Sequence, residues 1–418
     1  MKIKLTPNRI SSLGEVHART VENAELKYKS SVTKGSCRLE VRGSERETFT
    51  EFHLTATVVH GGVVETGGCA ADDLIGQVAA ELAKRRIQPI QEKFYGRREV
   101  REDVLKHRED AYRKHGLDAD VPVTWLEGIP LEGSDFVGLQ IWGVVSHGGE
   151  ICVRTVENPV TGRGRAWTGR GFEMLHLPAV RGTMPKGNLP AGPTAQSEQM
   201  FKNVELGLKA HGMAYTDVAR TWIYVSRLLE WYGELNRVRN GIYVPAGLGA
   251  RDGVAFPAST GIQCRSADEE CLVDVLALKR RHSASVVAEP IRCSPRQDQS
   301  FNYGSAFSRG MTFNIEGKKT VHISGTASIN TAGASTHIGN AECQSFETLM
   351  SIGAILEAQG GSLRKITSAT LFCKDQAAYE AWNRVTRVLQ IPDFPKICVR
   401  ADVCRDDLLV EMETVAVI

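Results

Sequence analysis

The sequence predicts an α+β protein made of three copies of one unit, each a mixed sheet with two helices on one face. Three observations predict it. An order of strands and helices recurs with a period of about 135 residues, too long for a solenoid and right for whole domains. The closing hairpins of the three copies overlay. Gly/Pro-rich stretches at 147–149, 181–193 and 288–295 fit joints in such a chain. A length of 418 residues is itself too great for one core, since domains run to roughly 100–200 residues.

The last copy reads most clearly. Residues 319–327 (Lys-Thr-Val-His-Ile-Ser-Gly-Thr-Ala) form a strand running into a glycine turn. Phe346, Leu349, Ile352, Ile355 and Leu356 recur at helical spacing within 342–359, and Gly360-Gly361 ends that helix. Residues 366–373 alternate as a strand and 377–389 are helical. Pro392 and Pro395 then break the chain, and 396–403 and 408–418 finish it as two strands. The middle of the chain repeats this order with a helix at 199–211, a strand at 218–225, a helix at 229–241 and strands at 258–265 and 270–278. The first part repeats it more faintly: strand 52–60, helix 72–85, strand 88–94, a charged helix 99–115, then strands 123–127 and 136–145.

The hairpins open on Val121-Pro122, Phe256-Pro257 and Phe394-Pro395. Gly138, Asp274 and Glu411 lie 16, 17 and 16 residues beyond those prolines and are read as equivalent. The domains are placed at 1–146, 147–283 and 284–418. A sheet with both helices on one face leaves its other face apolar. Three such sheets packed around a common axis bury those faces, so an intramolecular pseudo-trimer is expected, alone or within a higher homo-oligomer.

Composition excludes several functions. Apolar (42%) and charged (24%) contents are those of an ordinary globular protein. The formal net charge is +2 and the basic residues are scattered, so no nucleic acid partner is expected. The clusters 84–86 and 279–282 read as solvated element ends. No apolar run approaches the roughly 18 residues that span a bilayer, so no membrane partner is expected. Residues 1–7 lack the apolar core of a signal peptide. Ten cysteines without a Cys-x-x-Cys pair read as small buried hydrophobes in a reducing, cytoplasmic setting. The 11 histidines show no ligand spacing, so neither a metal nor another cofactor is expected.

The third copy resembles the Rid/YjgF (endoribonuclease L-PSP-type) family, whose fold is chorismate mutase-like. The resemblance lies in Val321-His322-Ile323-Ser324-Gly325-Thr326, the helix from Gln344 through Leu349 and Ile352, Leu371-Phe372-Cys373-Lys374-Asp375, and 409–416 (Leu-Val-Glu-Met-Glu-Thr-Val-Ala). Rid proteins are homotrimers with sites between subunits, which implies a covalent trimer here. A narrower stretch, 140–418, is similar to the chorismatases, two-domain relatives that hydrolyse chorismate. It matches at 220–224, 256–262, Ser294-Pro295-Arg296-Gln297 and 306–310, and Cys404 stands seven residues before Glu411, as in that family.

The resemblance assigns the catalytic acid to Glu411. It places Lys396 where the family has its carboxylate-binding Arg, and Cys398 where the family has Cys. A Lys in place of an Arg turns a bidentate fork into one mobile charge, and Arg309 or Arg400 are alternative holders of the carboxylate. The Ser324-Gly325-Thr326 turn offers N–H groups and hydroxyls that would fix an oxygen, and Cys398 and Cys404 would line the pocket. Gly138 and Asp274 imply that the other two sites are dead or repurposed.

Each of these residues has a plainer reading. Glu411 is otherwise a solvated strand residue sharing a face with Glu413, Arg309 a surface residue, and the cysteines core packing. Trp222, Tyr224, Trp231 and Tyr232 read as core and inter-copy contacts. Three functions follow: a chorismatase-like hydrolase splitting an enol ether, a Rid-type imine/enamine deaminase, and a non-catalytic binder of small carboxylates. The cations that face Glu411 discriminate the first two, several arginines favouring a dicarboxylate and a single cation favouring a keto-acid imine.

Overall fold

The computed structural model describes residues 27–34, 36–58, 68–131, 135–249, 253–264, 267–281 and 286–418. Unit one contains β1 (Tyr28–Lys34), β2 (Cys37–Glu45), β3 (Phe49–Val58), α1 (Gly68–Arg85), β4 (Gln88–Gly96), α2 (Arg101–Lys114), β5 (Thr124–Glu127), β6 (Ile129–Pro130) and β7 (Phe136–Ser146). Unit two contains β8 (Cys152–Asn158), β9 (Gly162–Gly169), β10 (Phe172–Arg181), α3 (Pro193–Ala210), β11 (Val218–Val225), α4 (Leu228–Tyr243), β12 (Ala258–Gln263) and β13 (Cys271–Arg280). Unit three contains β14 (Val286–Ile291), β15 (Gly310–Ile315), β16 (Lys318–Ala327), α5 (Ala341–Ala358), β17 (Ile366–Cys373), α6 (Gln376–Val388), β18 (Lys396–Arg400) and β19 (Val410–Val417).

The three sheets share one topology. Their orders are β1-β2-β3-β7-β4-β5, β8-β9-β10-β13-β11-β12 and β14-β15-β16-β19-β17-β18. In each, the last strand of the unit lies at the centre and only the final pair (β4·β5, β11·β12, β17·β18) is parallel. The third sheet takes a seventh strand, β6 of unit one, which pairs with β18 through Val399↔Pro130 and Arg400↔Ile129.

A bulge fixes the equivalence of the copies. It recurs at one place in the fourth strands, between Pro89 and Gln91, Val218 and Arg220, and Ile366 and Ser368. Counting from it along the last strands aligns Gln140 with Asp274 and Glu413, and Gly138 with Leu272 and Glu411. The hairpin spacing had equated Asp274 with Glu411. The register corrects this by two residues, because the hairpin of unit two differs in length from the others. The same count aligns His53, His176 and His322, partners of Trp142, Leu276 and Val415. The histidines that read as dispersed therefore include one at the same position in each copy.

Alternation along each last strand separates two environments. In β19, Val410, Met412 and Ala416 join the core beneath α5 and α6, with Leu349, Ile352, Leu356 and Trp382. Units one and two have separate cores of this kind. A fourth core, drawn from all three sheets, packs Ile90 and Trp142 with Trp222 and Leu276 and with Phe313 and Phe372. The uncovered faces of the three sheets thus bury one another. Each pair of units is also tied by hydrogen bonds. Thr124 donates to Asp274 (2.9 and 3.0 Å), the Ser259 N–H to the Ser324 hydroxyl (2.9 Å), and the Gln140 amide to the Ala369 carbonyl (2.8 Å).

Three element expectations change. Residues 286–291, which include the start of the expected joint at 288–295, form edge strand β14, where Pro290 costs no ladder bond of the sheet interior. The penultimate strand stops at Arg400 rather than 403, freeing 401–409 as a loop. The strand expected over 52–60 starts earlier, at Phe49, and its residues 59–60, like residues 1–7, 265 and 282, lie outside the described set. Among the described residues no helix is long and apolar enough to cross a membrane.

Candidate active site

A cavity of about 200 Å³ opens on the seam between units two and three. Unit two contributes Tyr232, Asn236 and Arg239 from α4, and Ser259 and Gly261 from β12. Unit three contributes Gly325 and Ala327 of β16, Tyr303 and Arg309 of the segment before β15, Cys404 and Arg405 of the loop before β19, and Glu411.

Glu411 is 4% exposed, so the reading of a solvated strand carboxylate does not hold. Among the described residues its carboxyl has no hydrogen-bond donor and no ion-pair partner. Its pKa is pushed up to about 8, first by burial and then by the Glu413 carboxylate, with Arg220 pulling the other way. Glu413, two residues on and facing the same way, is engaged quite differently. It accepts from Arg220 Nη2 (2.7 Å) and from the hydroxyls of Thr260 and Thr370. One strand face thus holds a paired carboxylate and an unpaired one, and the unpaired one borders the cavity.

Gly325 makes room for it. It sits in the bulge of β16 between Ile323 and Thr326, and a Cβ there would lie 2.0 Å from Glu411 Oε1. Gly325→Ala is therefore expected to displace the carboxyl and lower kcat by ~10²-fold, with little loss of thermal stability. Steady-state kinetics beside a melting curve measure both.

The rest of that turn does not serve as an oxygen-binding nest. The Ser324 N–H donates to the Arg309 carbonyl (2.9 Å) and its hydroxyl to the Ser308 carbonyl (2.6 Å). The Gly325 N–H donates to the Thr260 hydroxyl (3.0 Å), and the Thr326 hydroxyl to the Ser324 carbonyl (2.8 Å). These groups are spent on bonds within β16 and to its neighbours, and of the three residues only Gly325 lines the cavity.

Cationic groups border the cavity from both units. Arg309 is buried. Its Nε and Nη2 donate to the Asp298 carbonyl (3.0 and 2.8 Å) and Nη2 also to the Tyr303 hydroxyl (2.5 Å). Arg239, also buried, donates from Nη2 to Asn236 (2.6 Å), and among the described residues its Nε has no partner. Arg405 stacks its guanidinium 5.7 Å from the Tyr303 ring centroid. Cys404 lies in the wall with its thiol pushed up to about 12 by burial and by Glu411, so it stays protonated at neutral pH.

Lys396, Cys398 and Arg400 do not belong here. The fifth strand of one unit faces the last strand of the next, so at Glu411 the positions of Lys396 and Cys398 are filled by Ser259 and Gly261 of unit two. Lys396 and Cys398 line a separate cavity between units three and one. Arg400 is exposed at the end of β18. Counting back from Glu411 within one copy finds the right strand but the wrong site.

Tyr232, expected as a core and inter-copy contact, packs against the core of unit two and also lines the cavity, whereas Trp222, Tyr224 and Trp231 are in cores. Burial also raises the pKa of Asp274, to about 6. Asp274 accepts from Thr124 and from the Ala179 N–H (2.7 Å) and lines none of the described cavities, a joint between units one and two rather than a site. Arg239, Asn236, Tyr303 and Arg405 were not singled out from the sequence.

A family model described as Endoribonuclease L-PSP matches residues 305–418. The 3-aminoacrylate deaminase RutC of Acinetobacter baylyi is 32% identical over 97 residues, which are 23% of this chain and 77% of that one. The crystal structure of a chorismatase superposes with a TM-score of 0.51 at 18% identity, over 71% of this chain and 86% of that one. The triplicated sheet and the seam cavity define a tandem protein of the Rid type. The chain belongs to the Rid/YjgF (L-PSP) family, and its fold is like that of a chorismatase.

Proposed function

We propose that this chain hydrolyses the enol ether of a small dicarboxylate, chorismate being the candidate, with Glu411 as general acid. The observation that carries this reading is a buried carboxyl with a raised pKa, without a donor among the described residues, facing a cavity bordered by three arginines from two units. Arginines on both walls suit a substrate with two carboxylates, and a keto-acid imine needs only one.

An enol ether carries electron density on its methylene carbon. Glu411 donates its proton there, leaving an oxocarbenium carbon that is attacked by water. The water proton returns to Glu411. The resulting hemiketal collapses to the free alcohol and pyruvate, so one water is consumed. A carboxyl with a pKa near 8 is protonated at neutral pH and regains its proton readily. Cys404, a thiol rather than a thiolate, serves as wall and not as nucleophile.

The relative RutC supports a second reading, deamination of an enamine acid, since the same acid would protonate the enamine carbon. Assaying purified protein with chorismate and with freshly generated 2-iminobutyrate separates the two. Pyruvate from chorismate is expected, and ammonia release from the imine alone would overturn the first reading. Inactivity on both would leave a binder of small carboxylates.

Arg405→Met is expected to raise KM by about tenfold or more with kcat little changed, because a carboxylate contact exists before the chemical step. A fall confined to kcat would remove Arg405 from substrate binding.

A further inference from the structure

Apart from the seams, a cavity of about 40 Å³ lies where all three units meet. The fourth and last strands of the units face it, not the fifth. Counting from the shared bulge sets Gln91, Arg220 and Ser368 in one layer, and Lys93, Trp222 and Thr370 in the next. Each layer takes one residue from each copy, and one of the three is a cation. Among the lining residues only Ser368 and Val415, which pair across β17 and β19, are half-buried, so they mark the way in.

The two cations are buried without a full set of acceptors. Arg220 is 2% exposed. Its Nη2 donates to Thr260 (2.6 Å) and Glu413 (2.7 Å), but among the described residues its Nε and Nη1 have no partner. Lys93 Nζ makes no hydrogen bond among the described residues. It stands 3.8 Å from Glu413 and 3.9 Å from the centroid of the Trp222 ring, and the Arg220 guanidinium lies 4.8 Å from the same ring. Glu413 is the one carboxylate in the lining, already engaged by Arg220 and two hydroxyls. Asp274 lies outside the lining, held by Thr124 and the Ala179 N–H. Burial holds Lys93 down to about 8 and lowers Arg220, which is the mark of cations whose lost hydration is not replaced within the fold.

Guanidinium and ammonium groups donate only. A guest that only accepts satisfies them, whereas a water must also find acceptors for its own two protons. One water takes roughly 10–15 Å³ by the measure used for the cavity, so there is room for a monatomic ion with a water or two beside it. We propose that this cavity binds a halide, chloride in solution, held by Nε and Nη1 of Arg220 with Lys93 Nζ as the second donor. The ion ties unit one to unit two at the point where Glu413 of unit three already pairs with both. The proposal is independent of the reaction at Glu411, because it concerns binding alone.

Crystals of the full chain grown with bromide in place of chloride test it directly. An anomalous peak is expected in the cavity beside Arg220, and a cavity holding water only overturns the proposal. Thermal unfolding in sodium chloride and in sodium gluconate at equal ionic strength gives the second readout. A ligand bound only by the folded chain raises the melting temperature, so chloride is expected to add about 2 °C or more over gluconate. Lys93→Met is expected to lose most of that difference and to weaken the bromide peak. A Lys93→Met variant that keeps both in full overturns the assignment of the donors. Met keeps the length of the side chain against Trp222 and leaves no hydrogen bond of the fold unmade. Should the variant nevertheless fail to fold, the bromide crystal of the native chain decides the question by itself.

Discussion

Replacing Glu411 by Gln is expected to lower kcat by ~10²–10⁴-fold while KM stays within a few-fold, the signature of a lost general acid. Gln keeps the volume and the position beside Gly325 but cannot give a proton to carbon. The pH profile of the native protein gives an independent check. The acid works protonated and its pKa lies at about 8, so kcat/KM is expected to fall as pH rises through about 8. The same shift has a stability consequence of definite sign. Unfolded, the carboxyl titrates in the ordinary Glu range; folded, it keeps its proton to about 8, so its contribution is present at low pH and lost as pH rises through about 8. Glu411→Gln cannot lose it, and the variant is expected to melt higher than the native chain at pH 9. Near-native turnover in the variant would take the acid out of the reaction.

What could be read beforehand follows from period and length. The helices of units two and three carry apolar residues at helical spacing, and the central strands lie between Gly and Pro breaks, so the repeat was legible. The edge strands were not. β1 and β14 are paired on one side and partly exposed, and their composition resembles that of a joint. Glu411 was visible because its strand matches the family closely. Its partners were not, because they come from unit two: Arg239 and Tyr232 sit on a helix about 170–180 residues earlier, where an arginine on a polar face reads as solvated. The Asp274 error has a physical origin as well. A slip of two residues keeps every side chain on its face, so burial pattern cannot detect it, and only the bulge position can.

The other large effect concerns acid stability. His322 and His176 are buried, and burial first, then nearby cations, holds both at about 3. Unfolded, each titrates near the ordinary histidine value of about 6.5. Their folded pKa values are depressed, so between about 6.5 and about 3 the unfolded chain binds protons that the folded chain refuses, and stability falls as pH falls through that window. Each histidine accounts for a loss on the order of several kcal/mol by its lower end. Glu411 and Asp274 act in the opposite sense, gaining stability on protonation as pH falls, so the raw curve mixes both signs. A difference measurement isolates the histidine. His322 lies edge-on to Phe313, Trp142 and Trp222, with centroids 5.2, 6.2 and 6.4 Å away, and among the described residues its Nδ1 has no partner. Phenylalanine fits that aromatic box without a titrating group. His322→Phe is therefore expected to match the native chain in urea at pH 7.5 and to exceed it by a margin that widens from pH 6.5 to pH 4. A margin independent of pH would mean that His322 is already protonated, or reaches water, in the folded protein.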